Sequence, residues 1–233
     1  MKNNQKIYFL HFYKAIIIAF FFSFICSSQD FHKCLWIKSD QLNNEQSIKN
    51  IISDAYRSGY EIIFLQLDVH SNHLYNPLIT KKNSKSTFDP LNIALYWANL
   101  YDIELHIWVN AYKIWSSTWP PPDNHIFYQL NKSNKDWFAS DINGHMDYNF
   151  DLNRSKNNFS GIYLSPLNEN ANNYIKDIIQ KLLVEYKGKF DGIHLDYFRY
   201  KDSMYGYNYI GRKNFQNIHN IDPIYLNKDI DFN

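Results

Sequence analysis

Cysteine, glycine and proline are scarce: the 233 residues include two cysteines, seven glycines and seven prolines. Two cysteines cannot form the disulfide framework of a small secreted scaffold. Cys34 falls on the first predicted strand, where we expect it to be buried. No glycine-rich phosphate fingerprint follows any predicted strand, so a nucleotide site has no support and no cofactor is expected.

Positive and negative charges are nearly balanced, and the formal net charge is +1. A nearly neutral chain gives no indication of a polyanionic partner, so no nucleic-acid partner is expected. Aromatic residues, by contrast, make up 18% of the chain, alongside many Asn and Asp. Rings that stack on sugar faces and short polar groups that bond hydroxyls would suit a carbohydrate site.

The first 28 residues predict a signal peptide. Three lysines precede an unbroken apolar run over residues 15–25, and small residues follow up to Ser28, where we expect cleavage. The run is short for a membrane span, although residues 7–12 could extend it into a retained anchor. Acylation of Cys26 is a lipoprotein alternative. We therefore expect export to the periplasm, the extracellular space or the cell surface, with one domain over residues 29–233.

Strands and helices alternate along that domain. The predicted strands cover residues 33–38, 61–68, 103–110 and a fourth segment around Ile193. The predicted helices cover 47–58 with Ser47 as a candidate N-cap, 90–100 after Asp89-Pro90, and 168–186. Residues 111–163 form a long excursion, and loops of that length are usually functional. The alternation predicts parallel βαβ units.

Each predicted strand has one aliphatic face and one face of mixed aromatic and polar residues. In the third strand, Leu105, Ile107 and Val109 oppose the set His106, Trp108 and Asn110. A doubly wound sheet needs helices on both faces, whereas a barrel needs them only outside, and its inner face can be polar near the mouth. The pattern therefore predicts an α/β fold of the (β/α)8-barrel type.

The fourth strand carries the strongest functional signal. Ile193 and Leu195 share one face, and His194 and Asp196 share the other. Ligand sites in α/β folds collect at the C-terminal ends of strands, where Asp196 stands. A structural alternative is that Asp196 caps the next helix or pairs with Arg199.

Residues 191–200 (DGIHLDYFRY) resemble the fourth-strand signature of the glycoside-hydrolase-like 10 family, secreted bacterial (β/α)8-barrel proteins. Further matches follow in the family's order over about residues 32–223. They are Trp36-Ile37, residues 64–67 with Leu74-Tyr75, residues 88–91, residues 106–112 (HIWVNAY), residues 136–138 and residues 164–166.

Three departures from the family pattern are relevant. Asp68 stands where the family commonly has an arginine, and Lys201 replaces a proline. The chain also stops where the family continues to its later strands. Only about the first four βα units are therefore expected, and four strands cannot close a barrel that needs about eight. The expected half-barrel would be a truncated product, a fragment or a protomer completed by a partner, with self-association through its open sheet edges as one outcome.

The resemblance implies a glycoside hydrolase that acts on a polysaccharide or cell-envelope glycan, with Asp196 as nucleophile or base. Arg199 could pair with Asp196 and keep it ionised. The expected substrate-binding residues are Asp68, His106, Trp108, Asn110, Tyr112, His194 and Arg199. Candidates for stacking on sugars are Tyr75, Tyr112, Trp115 and Trp119. The proton donor is not placed, although Asp68 and Asp40 are carboxylates near the expected pocket.

Two other functions stay open. Asp68, His70 and His73 are close in sequence, and with the inward-facing His106 and His194 they suggest a metal-dependent hydrolase. However, no His-x-His pair ends the first strand, and no metal is expected. The chain could also be a non-catalytic carbohydrate-binding remnant that retains the pocket without the chemistry.

Overall fold

The computed structural model describes residues 31–71, 74–75, 88–117, 119–146 and 161–228. The chain separates into two units, residues 1–32 and 33–233, and the elements described below belong to the second. The predicted signal peptide, including Cys26, lies outside the described residues, as does His73.

Strands and helices alternate as predicted, with ends that shift by at most two residues. The strands are β1 (Cys34–Ile37), β2 (Ile62–Gln66), β3 (Glu104–Asn110), β4 (Lys113–Trp115), β5 (Ile162–Tyr163) and β6 (Gly192–Asp196). The α-helices are α1 (Glu45–Arg57), α2 (Pro90–Leu100), α3 (Ile126–Ser133), α4 (Glu169–Glu185) and α5 (Tyr209–His219). Short 3-10 helices cover Ser39–Gln41, Lys135–Trp137 and Pro223–Lys228.

Four strands form one sheet in the order β1-β2-β3-β6, and every neighbouring pair is parallel. Each crossover from one of these strands to the next contains at least one helix. This sequential, all-parallel order is that of successive βα units in a barrel and confirms the predicted fold class.

The two faces of the sheet differ as the alternation predicted. Six aliphatic side chains of β1, β2 and β3 are at most 2% exposed, whereas Leu35 is half-buried; the six are Ile37, Ile63, Leu65, Leu105, Ile107 and Val109. On the opposite face, Trp36 is 46% exposed, and the mixed aromatic and polar side chains of β2 and β3 are half-buried. The helices therefore cover one face only, which is the arrangement of a barrel wall.

The sheet curls toward its aromatic face. β1 and β6 are separated by two strands, or about 14 Å at 4.8 Å per strand in a flat sheet. Nevertheless, the rings of Trp36 on β1 and His194 on β6 lie 5.0 Å apart, and Trp36 also meets Phe64 at 4.4 Å and Trp108 at 4.9 Å. Side chains from all four strands can converge in this way only over a concave surface, so the four strands form a partial barrel.

Helix starts follow capping chemistry. The side chain of Asp89 caps α2 by accepting from Asn92 N, and Asn168 caps α4 by accepting from Asn170 N and Ala171 N. The prediction for α1 was wrong in detail, because its N-cap is Asn44, which accepts from Ser47 N. Both residue types cap well, and the sequence offered both within one turn.

The described part of the excursion, residues 111–117, 119–146 and 161–163, contains regular structure. It includes the antiparallel β4-β5 pair and helix α3. Buried Ile126, Phe127 and Leu130 fix α3 to the core. The α3 N-cap is His125, whose Nδ1 accepts a hydrogen bond from Phe127 N at 3.0 Å.

The C-terminal part packs less tightly than the rest. Gly211 is the one buried residue of α5, and Tyr209, Ile218 and Tyr225 are at least 60% exposed. Cys34 is also exposed, so the prediction that it is buried was wrong; it lies on β1, an outer strand of the described sheet. Among the described helices, none is both long and apolar enough to cross a membrane.

Candidate functional site

From Trp36 to Asp196, the concave face carries three rows of side chains, set by the strand register. Trp36, Phe64, His106 and Gly192 form the lower row; Gln66, Trp108 and His194 form the middle row. Asn110 and Asp196 are paired in the upper row, at the C-terminal ends of β3 and β6. The face thus changes from aromatic at the base to polar at the mouth, where ligand sites of parallel barrels lie.

Asp196 is fixed by two donors on neighbouring groups. Trp108 Nε1 donates to Asp196 Oδ2 at 3.2 Å, and Tyr197 N donates to Asp196 Oδ1 at 2.7 Å. The side chain is half-buried, and Asp196 O accepts from Ala111 N at 2.8 Å. A carboxylate can accept about four hydrogen bonds. Asp196 is therefore oriented by the protein and retains acceptor capacity for a ligand.

Tyr197 has a strained backbone beside that carboxylate. Its φ is +51°, in the left-handed region, which is a genuine outlier for a bulky residue. The other non-glycine residues with positive φ among those described are Asp102 and Asn220, types that tolerate this conformation. Such strain costs on the order of 1–3 kcal/mol and clusters at functional sites. The strained turn aims the Tyr197 amide at Asp196.

Hydrogen bonds through the side-chain amides of Gln66 and Asn110 link the C-terminal ends of β1, β2 and β3. Gln66 Nε2 donates to Asn110 Oδ1 at 3.4 Å, and Ser39 N donates to Gln66 Oε1 at 3.4 Å. Both amide side chains are half-buried on the concave face. Asn110 was predicted as a site residue, whereas Gln66 was not. Its place on the same face of β2 as Phe64 was the signal that could have identified it.

Two buried histidines lie with their ring centroids 6.3 Å apart, and one of them, His70, bonds to the backbone of Asn110. His70 Nε2 lies 2.8 Å from Asn110 O, a pure acceptor, so His70 donates from Nε2 and accepts from Tyr174 OH through Nδ1 at 3.0 Å. His125 donates from Nε2 to Ile114 O at 2.9 Å. Burial lowers the pKa of His70, and burial together with His70 lowers the pKa of His125 to about 4. Both rings are therefore neutral structural groups near neutral pH.

Asp68 and Asp40 lie just beyond the C-terminal ends of β2 and β1, the same end as Asp196. Both are exposed. The carboxylate of Asp68 accepts from Ser71 N at 3.2 Å and from the Ser71 hydroxyl. Asp68 thus closes the turn after β2 while remaining open to solvent at the mouth.

His106 and His194 lie lower on the concave face. The ring of His106 contacts Phe64 at 5.2 Å, and its Nε2 is 3.6 Å from a carboxylate oxygen of Glu104. A Cβ at position 192 would come within 2.5 Å of His106 Nδ1, so Gly192 makes room for the ring. These contacts place His106 at the base of the face and His194 one row nearer to Asp196.

The side chains of Tyr112 and Arg199 form hydrogen bonds with groups other than Asp196. Tyr112 is 6% exposed, and its hydroxyl donates to Asn172 Oδ1 on α4 at 2.9 Å. Arg199 Nη1 donates to Tyr200 O at 3.2 Å and to Lys201 O at 3.0 Å. The pairing of Arg199 with Asp196 that we expected is absent from the ion pairs of the described residues. Arg199 instead lies beside the ring of Tyr197, 5.4 Å from its centroid.

The stacking candidates separate by exposure. Tyr75 is 1% exposed and donates to Asp89 Oδ1 at 3.2 Å, so it is a core residue and the prediction that it stacks on sugars was wrong. Trp115 is half-buried and donates from Nε1 to Trp119 O at 2.7 Å. Trp119 is 72% exposed. Of the four, Trp119 presents the most ring surface to solvent.

The described residues contain no group of three or more metal-ligating side chains suited to a metal ion. Both ring nitrogens of His70 are engaged by protein groups. A metal site that uses His70 would therefore require the histidine to leave Asn110 and Tyr174.

A shallow groove lies at the opposite end of the sheet, between α2 and the turn into β6. Asn99, Asp102, Glu104 and Asp191 are among the residues that line it. Asp191 Oδ2 accepts from Leu105 N at 2.8 Å and so fixes the start of β6. Because N-terminal strand ends of barrels serve stability, we place the candidate site at the Asp196 end.

No family model matches the chain. No curated protein matches it either. The resemblance to the glycoside-hydrolase-like 10 family therefore stays a prediction.

Solved structures show similarity at low identity. A hypothetical protein from Ruminiclostridium thermocellum is 13% identical, with 80% of this chain and 91% of that chain covered and a TM-score of 0.47. A structure of the tandem catalytic modules of the pneumococcal exo-beta-D-N-acetylglucosaminidase is 16% identical, with 79% and 47% covered and a TM-score of 0.48. The catalytic domain of beta-amylase from Paenibacillus polymyxa is 15% identical, with 84% and 50% covered and a TM-score of 0.49. The chain spans about half the length of the last two.

Proposed function

We propose that the chain is a glycoside hydrolase, or the part of one that carries its nucleophile or base, and that it acts on a polysaccharide or cell-envelope glycan. The observation that carries the proposal is the placement of Asp196. It ends the fourth strand of a partial barrel, on a concave face of rings and amides, with Trp108 Nε1 and Tyr197 N as donors.

This surrounding suits a nucleophile better than a structural carboxylate. The alternative roles of Asp196 were to cap the following helix or to pair with Arg199. The N-cap of α5 is Asn208, twelve positions along the chain, and Arg199 bonds to backbone carbonyls. Asp196 accordingly has no cap or ion pair to maintain within the described part of the chain, which favours a role toward a ligand.

Glycoside hydrolysis typically needs a second carboxyl group. Asp68 and Asp40 share the C-terminal end of the sheet with Asp196 and are both exposed. They are the candidates for proton donor on this chain. Asp68 would act from the turn that it already closes with Ser71.

The second candidate function is carbohydrate binding without catalysis. It is favoured by the position of Asp196 as the one carboxylate in the middle and upper rows of the concave face, since Glu104 lies at the N-terminal end of β3. A metal-dependent hydrolase has less support, because the protein bonds of His70 occupy both of its nitrogens.

The decisive experiment compares the full chain with its Asp196→Asn variant on chromogenic and native glycans. The substitution keeps the shape of the side chain and removes its charge. We expect turnover to fall by several powers of ten, more than about 5 kcal/mol of barrier, while glycan binding changes by a few-fold at most. A variant that retains turnover would make Asp196 structural. Binding without turnover in the wild type would favour the non-catalytic function, and loss of turnover with a chelator would favour the metal-dependent one.

We also propose that the protein is exported and cleaved near Ser28, on the strength of the lysine-flanked apolar run. Intact-mass measurement of the exported protein should show a chain that begins near residue 29. A mature form that retains Met1 would indicate an uncleaved anchor, and a mass increase on a chain that begins at Cys26 would indicate a lipoprotein.

A further inference from the structure

We propose that Lys113 and Arg199 form a subsite, at the ring of Tyr197, for a negatively charged group on a sugar residue of the glycan. The inference rests on the proposed function for the identity of the ligand as a glycan. Binding of the charged group depends only on the side chains described below.

The side chain of Lys113 lies against Gly161, where a larger residue would take its space. Its Nζ lies 4.3 Å from the centroid of the Tyr197 ring and 5.9 Å from that of Tyr163. A Cβ at Gly161 would approach Lys113 Cε to 2.5 Å, and Gly161 has a φ of +117° that other residues rarely adopt. A Cβ there would also come within 2.6 Å of Trp115 O, so position 161 requires glycine for its backbone conformation and for this backbone contact. The lysine stem lies in the space that a larger residue would fill, and its ammonium group lies next to the Tyr197 ring.

Arg199 brings a second cation to the same ring. Its Cζ lies 5.4 Å from the Tyr197 centroid, which puts it within about 10 Å of Lys113 Nζ. The two hydrogen bonds that Arg199 donates to the backbone both come from Nη1. A guanidinium group has five N–H donors in a planar fork, so Arg199 retains donors for an oxyanion.

Neither cation is neutralised by the protein that surrounds it, as far as the structure describes it. Arg57, Lys181 and Arg212 pair with Asp54, Glu185 and Asp222 respectively. Lys113 and Arg199, in contrast, have aromatic and backbone contacts but no carboxylate partner among the described residues. The pair thus forms a local excess of positive charge at the mouth of the site.

The two cations lie at the ring of Tyr197, which follows the proposed nucleophile in the chain and donates from its backbone N to Asp196 Oδ1 at 2.7 Å. Neither cation forms an ion pair with Asp196 among the described residues. The transition state of glycoside hydrolysis resembles an oxocarbenium ion and carries positive charge. Two unneutralised cations nearby would oppose that charge. A substrate that brings its own negative charge removes the conflict and gains charge-assisted hydrogen bonds. The ligand class is therefore a glycan residue that carries a carboxylate or a phosphate.

The test uses the full chain with Asp196→Asn, so that binding is measured without turnover. Calorimetric titration would compare trigalacturonic acid with its methyl ester, in which the carboxylates are neutralised at the cost of one added methyl group each, and glucose 6-phosphate with glucose. We expect at least one charged sugar to bind about tenfold more tightly than its neutral counterpart at low salt, with the preference reduced at high salt. The two pairs distinguish a carboxylate from a phosphate ligand.

Two variants assign the preference to this subsite. Lys113→Met keeps the apolar stem beside Gly161 and removes the charge, and Arg199→Gln removes the second cation. Each should reduce affinity for the charged sugar about tenfold and leave the neutral sugar unaffected. Lys33→Met is the matched control, because Lys33 Nζ also lies over a tyrosine ring, 4.6 Å from the Tyr60 centroid, but precedes β1 at the other end of the sheet. Melting temperatures confirm that each variant is folded.

Equal affinity for the charged and neutral sugars, or an equal effect of Lys33→Met, would overturn the proposal. Inorganic phosphate that binds as tightly as the charged sugars would reduce the subsite to a general anion site and overturn the assignment to a glycan. Failure of the proposed function is separate: a wild type that prefers charged sugars through Lys113 and Arg199 yet hydrolyses none would refute catalysis alone.

Discussion

Two aspartates of this chain show how differently a carboxylate can be used. Asp89 accepts from Asn92 N at 3.1 Å, from Tyr75 OH at 3.2 Å and from Tyr186 OH at 2.6 Å. Asp196 accepts from Trp108 and from the amide of a strained tyrosine.

The hydroxyls around Asp89 come from residues that are 1% and 6% exposed, so both tyrosine donors are buried, although Asp89 itself is half-buried. Desolvation by burial, together with Asp89, raises the pKa of Tyr75 and of Tyr186. Asp196 is also half-buried, but it has two donors instead of three and lies at the mouth of the concave face. We infer from the comparison that a carboxylate bonded to buried hydroxyls holds the fold together, whereas one with fewer donors at the mouth is available to a ligand.

The largest effect should be the loss of turnover in Asp196→Asn, and its stability sharpens the comparison. Because Asp196 caps no helix and forms no ion pair in the described structure, we expect its substitution to change the free energy of unfolding by less than about 1 kcal/mol. Urea unfolding of wild type and variant measures this. A loss of several kcal/mol would place Asp196 in the same structural class as Asp89.

The second-largest effect should come from substitution of Asp89, where we expect stability to fall and turnover to stay unchanged. Asp89→Ala removes the α2 cap and leaves two buried tyrosine hydroxyls without their acceptor, for an expected loss of about 3 kcal/mol of stability. Turnover of the molecules that remain folded should not change. Asp89→Asn keeps one acceptor oxygen and should restore part of the stability. An Asp89→Ala protein as stable as the wild type would show that the hydrogen bonds to Asp89 contribute little to the free energy of unfolding.

The smallest effect concerns the histidines that support the mouth. Folding lowers the pKa of both His70 and His125, so the unfolded chain takes up their protons first. Their stabilising contribution is complete above about pH 6.5 and is lost as the pH falls toward the folded-state value of about 4 for His125. We expect unfolding measurements to show a loss of about 2 kcal/mol between pH 7 and pH 4.5.

A matched variant isolates that loss. His125→Asn keeps an acceptor for the N-cap of α3 and removes the titrating ring, since asparagine caps helices well. The variant should show a shallower decline of stability with acid than the wild type. An unchanged decline would assign the pH dependence to other groups.

Much of the fold follows from local patterns in the sequence. The alternation in residues 103–110 predicted both faces of β3, because side chains on a strand alternate sides with a period of two. Asp89-Pro90 predicted the start of α2, since an Asp cap and a Pro at the first position are strong local signals. Helix α3 was missed because it is short and begins at a histidine, an unusual cap.

The site was less predictable, because its geometry depends on contacts between distant segments. Tyr75 and Tyr186 meet at Asp89 from 14 and 97 positions away, and nothing near any of the three indicates it. The close approach of the Lys113 side chain to Gly161 is also a contact between distant segments of the chain. Asp196 and Trp108 were predicted to share the concave face, and they do, yet the strained φ of Tyr197 has no sequence signal.

Gly192 has a consequence that reaches well beyond its own position. A methyl group there would displace the ring of His106, which meets Phe64 at 5.2 Å, which in turn stacks on Trp36 at 4.4 Å. Trp36 meets Trp108 edge-on at 4.9 Å, and Trp108 holds the carboxylate of Asp196. The rings thus form a continuous series of contacts from the base of β6 to the mouth. We expect a change in the curvature of the sheet to change the position of the Asp196 carboxylate through these contacts.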